Sequence, residues 1–415
     1  MKKTLLLSVV ASTMIMAGGD IAPVEPVAEA PAVVAESGWD FGGQAVVYYQ
    51  TADHKGADDF FTQESAQADF GLQLRAVNKN VIGGIGFGAE VTGLSTLNLE
   101  DSLVSNVMQA VGNAAAIGNG NDLDDVTDGG WISQMYMTFA AGNTNIKLGR
   151  QELPKALSPF AFSEGWNVFK NTFDAALIVN SDIPDTTLVG AWVYGGNHNG
   201  IGVGANLSDF NKFNDDNGVF MLTAQNKSVE GLTLTGTWYY APEMLGGEDL
   251  NIIWGDAKFA IAGVSLGLQG GTWMSDGLPD DAIAFGTKVG YNFGMFDVSV
   301  AYSSVDDGGV KGVTMRNVGG VKTPLYTQMI LNQNFISYDS ETVVARAGMK
   351  ALGGKFGLAV DYSDVEGADY TELDFVYKTK VWNDSTTLFA GYIFQDHDAW
   401  EDPNNVLRFW ARYNF

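Results

Sequence analysis

Between Lys147 and Lys170 the chain sets Arg150, Glu152, Lys155, Glu164 and Lys170 among Phe160, Phe162, Trp166 and Phe169. Fixed charges of both signs beside apolar rings can orient a passing ion or dipole, which is the chemistry of a constriction rather than of bond breaking. Left in water, that apolar surface would be wasted, so the segment is expected to fold against something.

Other reactive patterns are weaker. Gly263-Val264-Ser265-Leu266-Gly267 matches the G-x-S-x-G elbow of serine hydrolases, but it lies inside an alternating strand instead of at a strand-to-helix turn. The histidines His54, His198 and His397 are separated by more than a hundred residues and fall in predicted connections, as solvated polar surface. Asp122, Asp124, Asp125 and Asp128 put carboxylates in one loop, chemically suited to calcium. That run lacks the Gly and terminal Glu of an EF-hand loop, so no metal site is assigned. Nothing brings together a nucleophile, a base and an orienting group; neither an enzyme nor a cofactor is expected.

The elements that must position the charged segment are strands. The last ten residues alternate Leu407, Phe409, Ala411, Tyr413 and Phe415 with Val406, Arg408, Trp410, Arg412 and Asn414. One face suits lipid and the other, apart from Trp410, suits water, as in a transmembrane β-barrel strand. The same period sets Glu372, Asp374 and Lys378 against Thr371, Leu373, Phe375 and Tyr377. From Trp39 onward the chain divides into about eighteen such segments (sixteen is the alternative), each near the ~9–11 residues that a tilted spanning strand needs. Short turns such as Asn78-Lys79-Asn80, Ala141-Gly142-Asn143 and Trp382-Asn383-Asp384 alternate with longer connections, including 96–130, 152–171 and 306–340. Short periplasmic turns and long external loops produce that alternation. The fold class is therefore all-β: a transmembrane antiparallel barrel over 39–415.

The remaining features agree. Residues 1–17 read as an export signal, with Lys2 and Lys3 before an apolar core from Leu5 to about Met16. Residues 18–38, rich in Ala, Pro and Glu, read as a periplasmic leader. No later segment is apolar enough to span as a helix, so an integral chain must cross as a closed barrel. Composition is that of a Gly- and aromatic-rich strand protein, with 51 Gly, 12% aromatic and 17% charged residues. Without cysteine there are no disulfides, and a formal charge of −26 argues against nucleic acid as partner.

On this alternation Arg75, Arg346, Lys350, Arg408 and Arg412 face the lumen, as do Glu372 and Asp374. Two readings stay open for these wall residues: a transverse field facing the loop charges, or pairing of bases with Glu90, Asp361, Glu372 and Asp374. Gly84, Gly86 and Gly88 leave a bare strip that either admits an inserted loop or eases curvature. The loop near 150–171 either folds into the barrel or packs on its rim or a neighbouring subunit.

The exported N-terminus, the alternating body, the Lys147–Gln151 strand leading into a Pro/aromatic loop and the aromatic C-terminus together resemble the Opr-type and major-outer-membrane-protein porins of Gram-negative bacteria. The ending Tyr413-Asn414-Phe415 is similar to the assembly signal of such barrels. The resemblance implies sixteen to eighteen strands, a homotrimer and an inward-folded loop forming an eyelet. It implies outer-membrane lipid, lipopolysaccharide and the barrel-assembly machinery as partners. The expected function is passive diffusion of small hydrophilic solutes and ions. The alternatives are a selective channel for small carboxylates or amino acids, and a surface structural or adhesive barrel.

Overall fold

The computed structural model describes residues 38–53, 59–62, 65–97, 99, 128–166, 168–198 and 210–415. The export signal, all of the leader but Gly38, His54, and Asp122, Asp124 and Asp125 lie outside the described residues. Asp128 opens a strand.

Alternating apolar and polar residues with few prolines produce nineteen strands among the described residues. They are β1 (Asp40–Asp53), β2 (Ala66–Ile82), β3 (Ile85–Ser95), β4 (Asp128–Ala141), β5 (Thr144–Gln151), β6 (Phe173–Asn180) and β7 (Thr186–Gly196). Then come β8 (Asn211–Lys212), β9 (Val219–Asn226), β10 (Leu232–Leu245), β11 (Glu248–Ile261), β12 (Val264–Met274) and β13 (Ala282–Asn292). The last are β14 (Phe296–Val305), β15 (Ser340–Ala351), β16 (Gly354–Val365), β17 (Ala368–Val381), β18 (Thr386–His397) and β19 (Asn404–Asn414). β8 is a two-residue addition to β7, which pairs onward with β9. Every other strand pairs antiparallel with the next, and β19 returns to β1 from Gln44↔Asn414 to Asp53↔Asn405. The wall is thus a closed antiparallel barrel of eighteen strands, with no sheet edge left open.

Closure separates the residue types by face. Leu72, Met137, Leu148, Leu222, Ile253, Leu268, Val300, Leu358 and Phe409 stand exposed on the outside. Trp192, Phe220, Tyr240 and Trp238 form a run of neighbouring outer rings near one rim. Trp131 is buried inside, because a register shift beside Glu90 turns it to the lumen.

Both described termini lie at one end, where connections are two to five residues long, from 83–84 to 382–385. The opposite end carries the long connections, but alternation lapses twice, at the two-residue turns 246–247 and 366–367. The turn expected at Asn78–Asn80 forms later, at Gly83-Gly84. The asparagines instead hold an irregularity in β2: Asn78 Oδ1 accepts from the Asn80 N–H, and Asn80 Oδ1 from the Gly84 N–H, each at 3.0 Å.

Candidate functional site: the barrel lumen

Two connections fill much of the interior. The first, 152–172, is buried almost throughout, although it joins neighbouring strands that could have been bridged outside. Its apolar half reaches along the wall to β10, β11 and β12, three to five strands from β6. There Phe160 meets Trp254 and Trp273 edge-on at 5.2 Å and Tyr239 at 6.1 Å. Leu153, Leu157 and Ala161 join the same cluster. The energetic reason is the one the residue types imply: burying large rings removes about 1.5–3 kcal/mol of unfavourable hydration each.

The second connection, 306–339, was read from sequence only as a long external loop, and it also turns inward. Val313, Val310 and the acidic ends gave it no aromatic stripe like the first loop's. A clue lay in its uncharged stretch from Thr323 to Phe335. The two loops clasp each other. Asn317 Oδ1 accepts from the Phe162 N–H at 2.8 Å while its Nδ2 donates to the Phe162 carbonyl. Glu164 accepts from Trp166 Nε1, Asn317 Nδ2 and the Lys322 N–H at 2.7, 2.9 and 2.7 Å. Burial pushes the Glu164 carboxyl above its usual range, partly opposed by these donors. Lys322 Nζ donates to the carbonyls of Met329 and Ile330 and to Gln333. Burial brings this ammonium down to about 8, against the pull of Glu164 and Glu372.

The five loop residues proposed for a constriction are scattered. Glu152 and Lys170 pair at 2.8 Å and remain partly exposed. Lys155 reaches the second loop, donating to the Thr323 carbonyl at 2.8 Å. Glu164 is sealed in the loop junction. Arg150 belongs to the outer face: it opposes Met135 and Asp174 in register, on the side of exposed Leu148. There it bonds both Asp174 oxygens, at 2.9 and 3.1 Å, with the Phe210 ring over its guanidinium. Odd spacings of three residues and one separate it from inward Lys147 and Gln151.

The wall residues also resolve into distinct roles. Arg75 is exposed inside the barrel, opposite Glu90 in register. Arg408 is fixed by Gln50 Oε1, and Arg412 by Gln44 and by the Val168 carbonyl. Arg346 Nη2 donates to the Gln328 carbonyl at 3.0 Å. Glu372 and Asp374 do not face open lumen; they lie beneath the second loop and accept from the N–H groups of Leu331 and Ile330. Asp361 beside them accepts from Asn332 and Ser363. Tyr413 and Phe415 are exposed at the terminal rim.

Solved outer-membrane proteins share this fold. The barrel is similar to Pseudomonas aeruginosa OccK8 (OprE), with a TM-score of 0.69 at 13% identity over 91% of this chain and 98% of that one. Pseudomonas aeruginosa OccD3 (OpdP) superposes at 0.69 with 12% identity, over 93% and 95%. Acinetobacter baumannii OccAB2 does so at 0.68 with 14% identity, over 91% and 98%. No protein-family model and no curated protein matches the sequence.

The glycines that make room for loops are also not those expected. A Cβ at Gly86 or Gly88 would strike the wall residues Thr138 and Tyr136. The loops instead rest on Gly71 and Gly267, where an added Cβ would stand 2.5 Å from the Phe169 ring and 2.7 Å from the Tyr326 ring. Ser265, of the apparent hydrolase motif, sits in β12, with no helix following it. His198 is turned inward against the Gly320 backbone, and burial lowers its pKa. His397 ends β18 in a ring cluster with Phe335, Tyr370 and Trp400.

Proposed function

We propose that the chain is an outer-membrane porin: a water-filled channel for passive diffusion of small hydrophilic solutes and ions, narrowed by its inserted loops. The observation that carries this reading is a closed barrel with an apolar exterior whose first loop crosses the interior, from Val168 bonded to Arg412 on β19 to Phe160 packed on Trp254 of β11. An apolar outside needs lipid, and an interior of arginines, lysines and carboxylates needs water. The likeness to OccK8 and OccD3 supports the same architecture.

On this reading the short turns and both termini face the periplasm and the long loops face outside. The protein arrives by export on the 1–17 segment and by the barrel-assembly machinery, which reads Tyr413 and Phe415. Lipopolysaccharide surrounds the long-loop end, the leader 18–38 stays periplasmic, and the assembly is a homotrimer. Lys155, Glu152 and Lys170 border the constriction, and Arg75 and Arg346 belong to the charged wall. A passive pore is favoured over a selective channel or an adhesive barrel because the loop charges are engaged by protein partners rather than presented to a solute.

Planar-bilayer recording of the refolded protein is the test. Discrete conductance steps are expected; a folded barrel that carries no current would overturn the reading.

A further inference from the structure

Among the described residues, fixed charge is not spread evenly along the barrel axis. At the long-loop rim stand Asp306, Asp307, Asp339, Asp364, Glu366 and Asp398, with Lys311 as the base bonded to Glu366. The crowding is physical: Asp339 is held above the usual carboxylate range, first by desolvation and then by Asp307, Glu366, Asp364 and Asp306. The rim acids are linked through backbone bonds such as Asp339 N–H to the Asp306 carbonyl, at 3.0 Å.

The short-turn half of the inner wall has the opposite sign. Lys147, Lys258, Lys288, Lys355, Lys378 and Arg412 all face inward there, within a few residues of the turns. Register places Lys258, Gly267 and Lys288 in one row across β11, β12 and β13. Asp256 and Asp297 offset two of these bases, by ion pairs at 3.2 Å to Lys258 and 2.6 Å to Lys355. Between the two zones lie the interlocked loops.

We propose that this axial charge step makes the channel a rectifier, passing more current when the long-loop side is positive. The inference rests on the channel reading above. With that polarity, cations enter through the acidic rim and anions through the basic half, so both accumulate at the constriction and conductance rises. Reversed polarity draws each ion away from the constriction, and replacements must cross a zone of their own sign, so conductance falls. The effect needs fixed charge to reach across the lumen, so it follows the Debye length, about 10 Å at 0.1 M salt and about 3 Å at 1 M.

The experiment is single-channel recording at equal voltages of both signs. Orientation is read from an Asp364→Cys variant, unique because the chain has no cysteine, labelled by a membrane-impermeant cationic thiol reagent added to one chamber. The expected current ratio is about twofold or more at ~0.1 M salt and approaches one at ~1 M. Two variants from opposite ends guard against misfolding. Lys258→Gln with Lys288→Gln and Lys355→Gln should lower the ratio and move the reversal potential toward cations. Asp306→Asn with Asp307→Asn and Asp339→Asn should lower the ratio and move it toward anions. Equal currents at low salt, the opposite polarity, or a ratio unchanged in both variants would overturn the proposal while leaving the pore. A protein without conductance would instead fail as a pore.

Discussion

Arg412, in the strand that closes the barrel, donates from Nη2 to the carbonyl of Val168 in the first inserted loop at 2.6 Å. Val168 is fully buried, and the same guanidinium is bonded to Gln44 on β1. Barrel closure and loop placement therefore share one side chain. Arg412→Ala removes charge-assisted bonds of about 1.5–3 kcal/mol in sum of local stability. The expected result is a noisier open current with a higher mean conductance, since the loop loses a tether. Single-channel traces indistinguishable from those of the parent would rule out that tethering role.

Phe160 holds the other side of the same loop through three ring contacts with Tyr239, Trp254 and Trp273. Truncating a buried phenylalanine costs about 3–5 kcal/mol and leaves a cavity at the wall. Phe160→Ala should thus release the apolar half of the loop and raise conductance more than Arg412→Ala does. Phe160→Leu, which keeps most of the volume, should lie between. If all three proteins conduct alike, the loop is held elsewhere.

The strands were legible because face alternation is a local property: Tyr370–Lys380 and the C-terminal ten residues reveal their two sides without knowledge of any partner. The burial of the first loop was legible for a related reason, since Phe160, Phe162, Trp166 and Phe169 required cover, although their types alone left the barrel interior, its rim and a neighbouring subunit all open. The second loop was not. Its burial depends on Glu372, Asp374 and Asp361, which lie beside it only after β16 and β17 have paired. Arg150 was misplaced by a single step of alternation, and Glu164 by treating a charge as a solute contact when it is a joint between loops.

Gly267 lets the second loop approach the wall. The Tyr326 ring lies over it, and the Tyr326 hydroxyl donates to Asp256 at 2.8 Å. A side chain there must displace the ring, because its atoms stand 2.7–2.9 Å from an added Cβ. Gly267→Val should break the Tyr326–Asp256 bond and shift the loop, at a cost of about 1–3 kcal/mol for overpacking. Pairing it with Tyr326→Ala, which removes the obstacle, should restore much of the stability but not the bond. A denaturant series on the single and double variants measures this. Additive losses would mean that the ring and the glycine do not meet.

Glu164 and Lys322 predict a stability profile with a trough. Burial raises the Glu164 carboxyl above its ordinary 4.5, so the folded chain holds a proton that the unfolded chain has lost. That stabilisation is fully present below the ordinary value and disappears as pH rises through the raised one. Burial lowers Lys322 from 10.5 to about 8, so between those values the unfolded chain is the one holding the extra proton. Stability is then regained as pH rises from about 8 toward 10.5. The loop junction is weakest where both groups are charged, between the two limbs. Denaturant midpoints of the micelle-refolded protein, taken across pH, should fall and then rise. Glu164→Gln should flatten the acid limb and, by removing a charge that holds Lys322 up, deepen the alkaline one, while Lys322→Met should flatten the alkaline limb. If Lys322→Met left the alkaline rise intact, that rise would belong to another group and the junction would not set it.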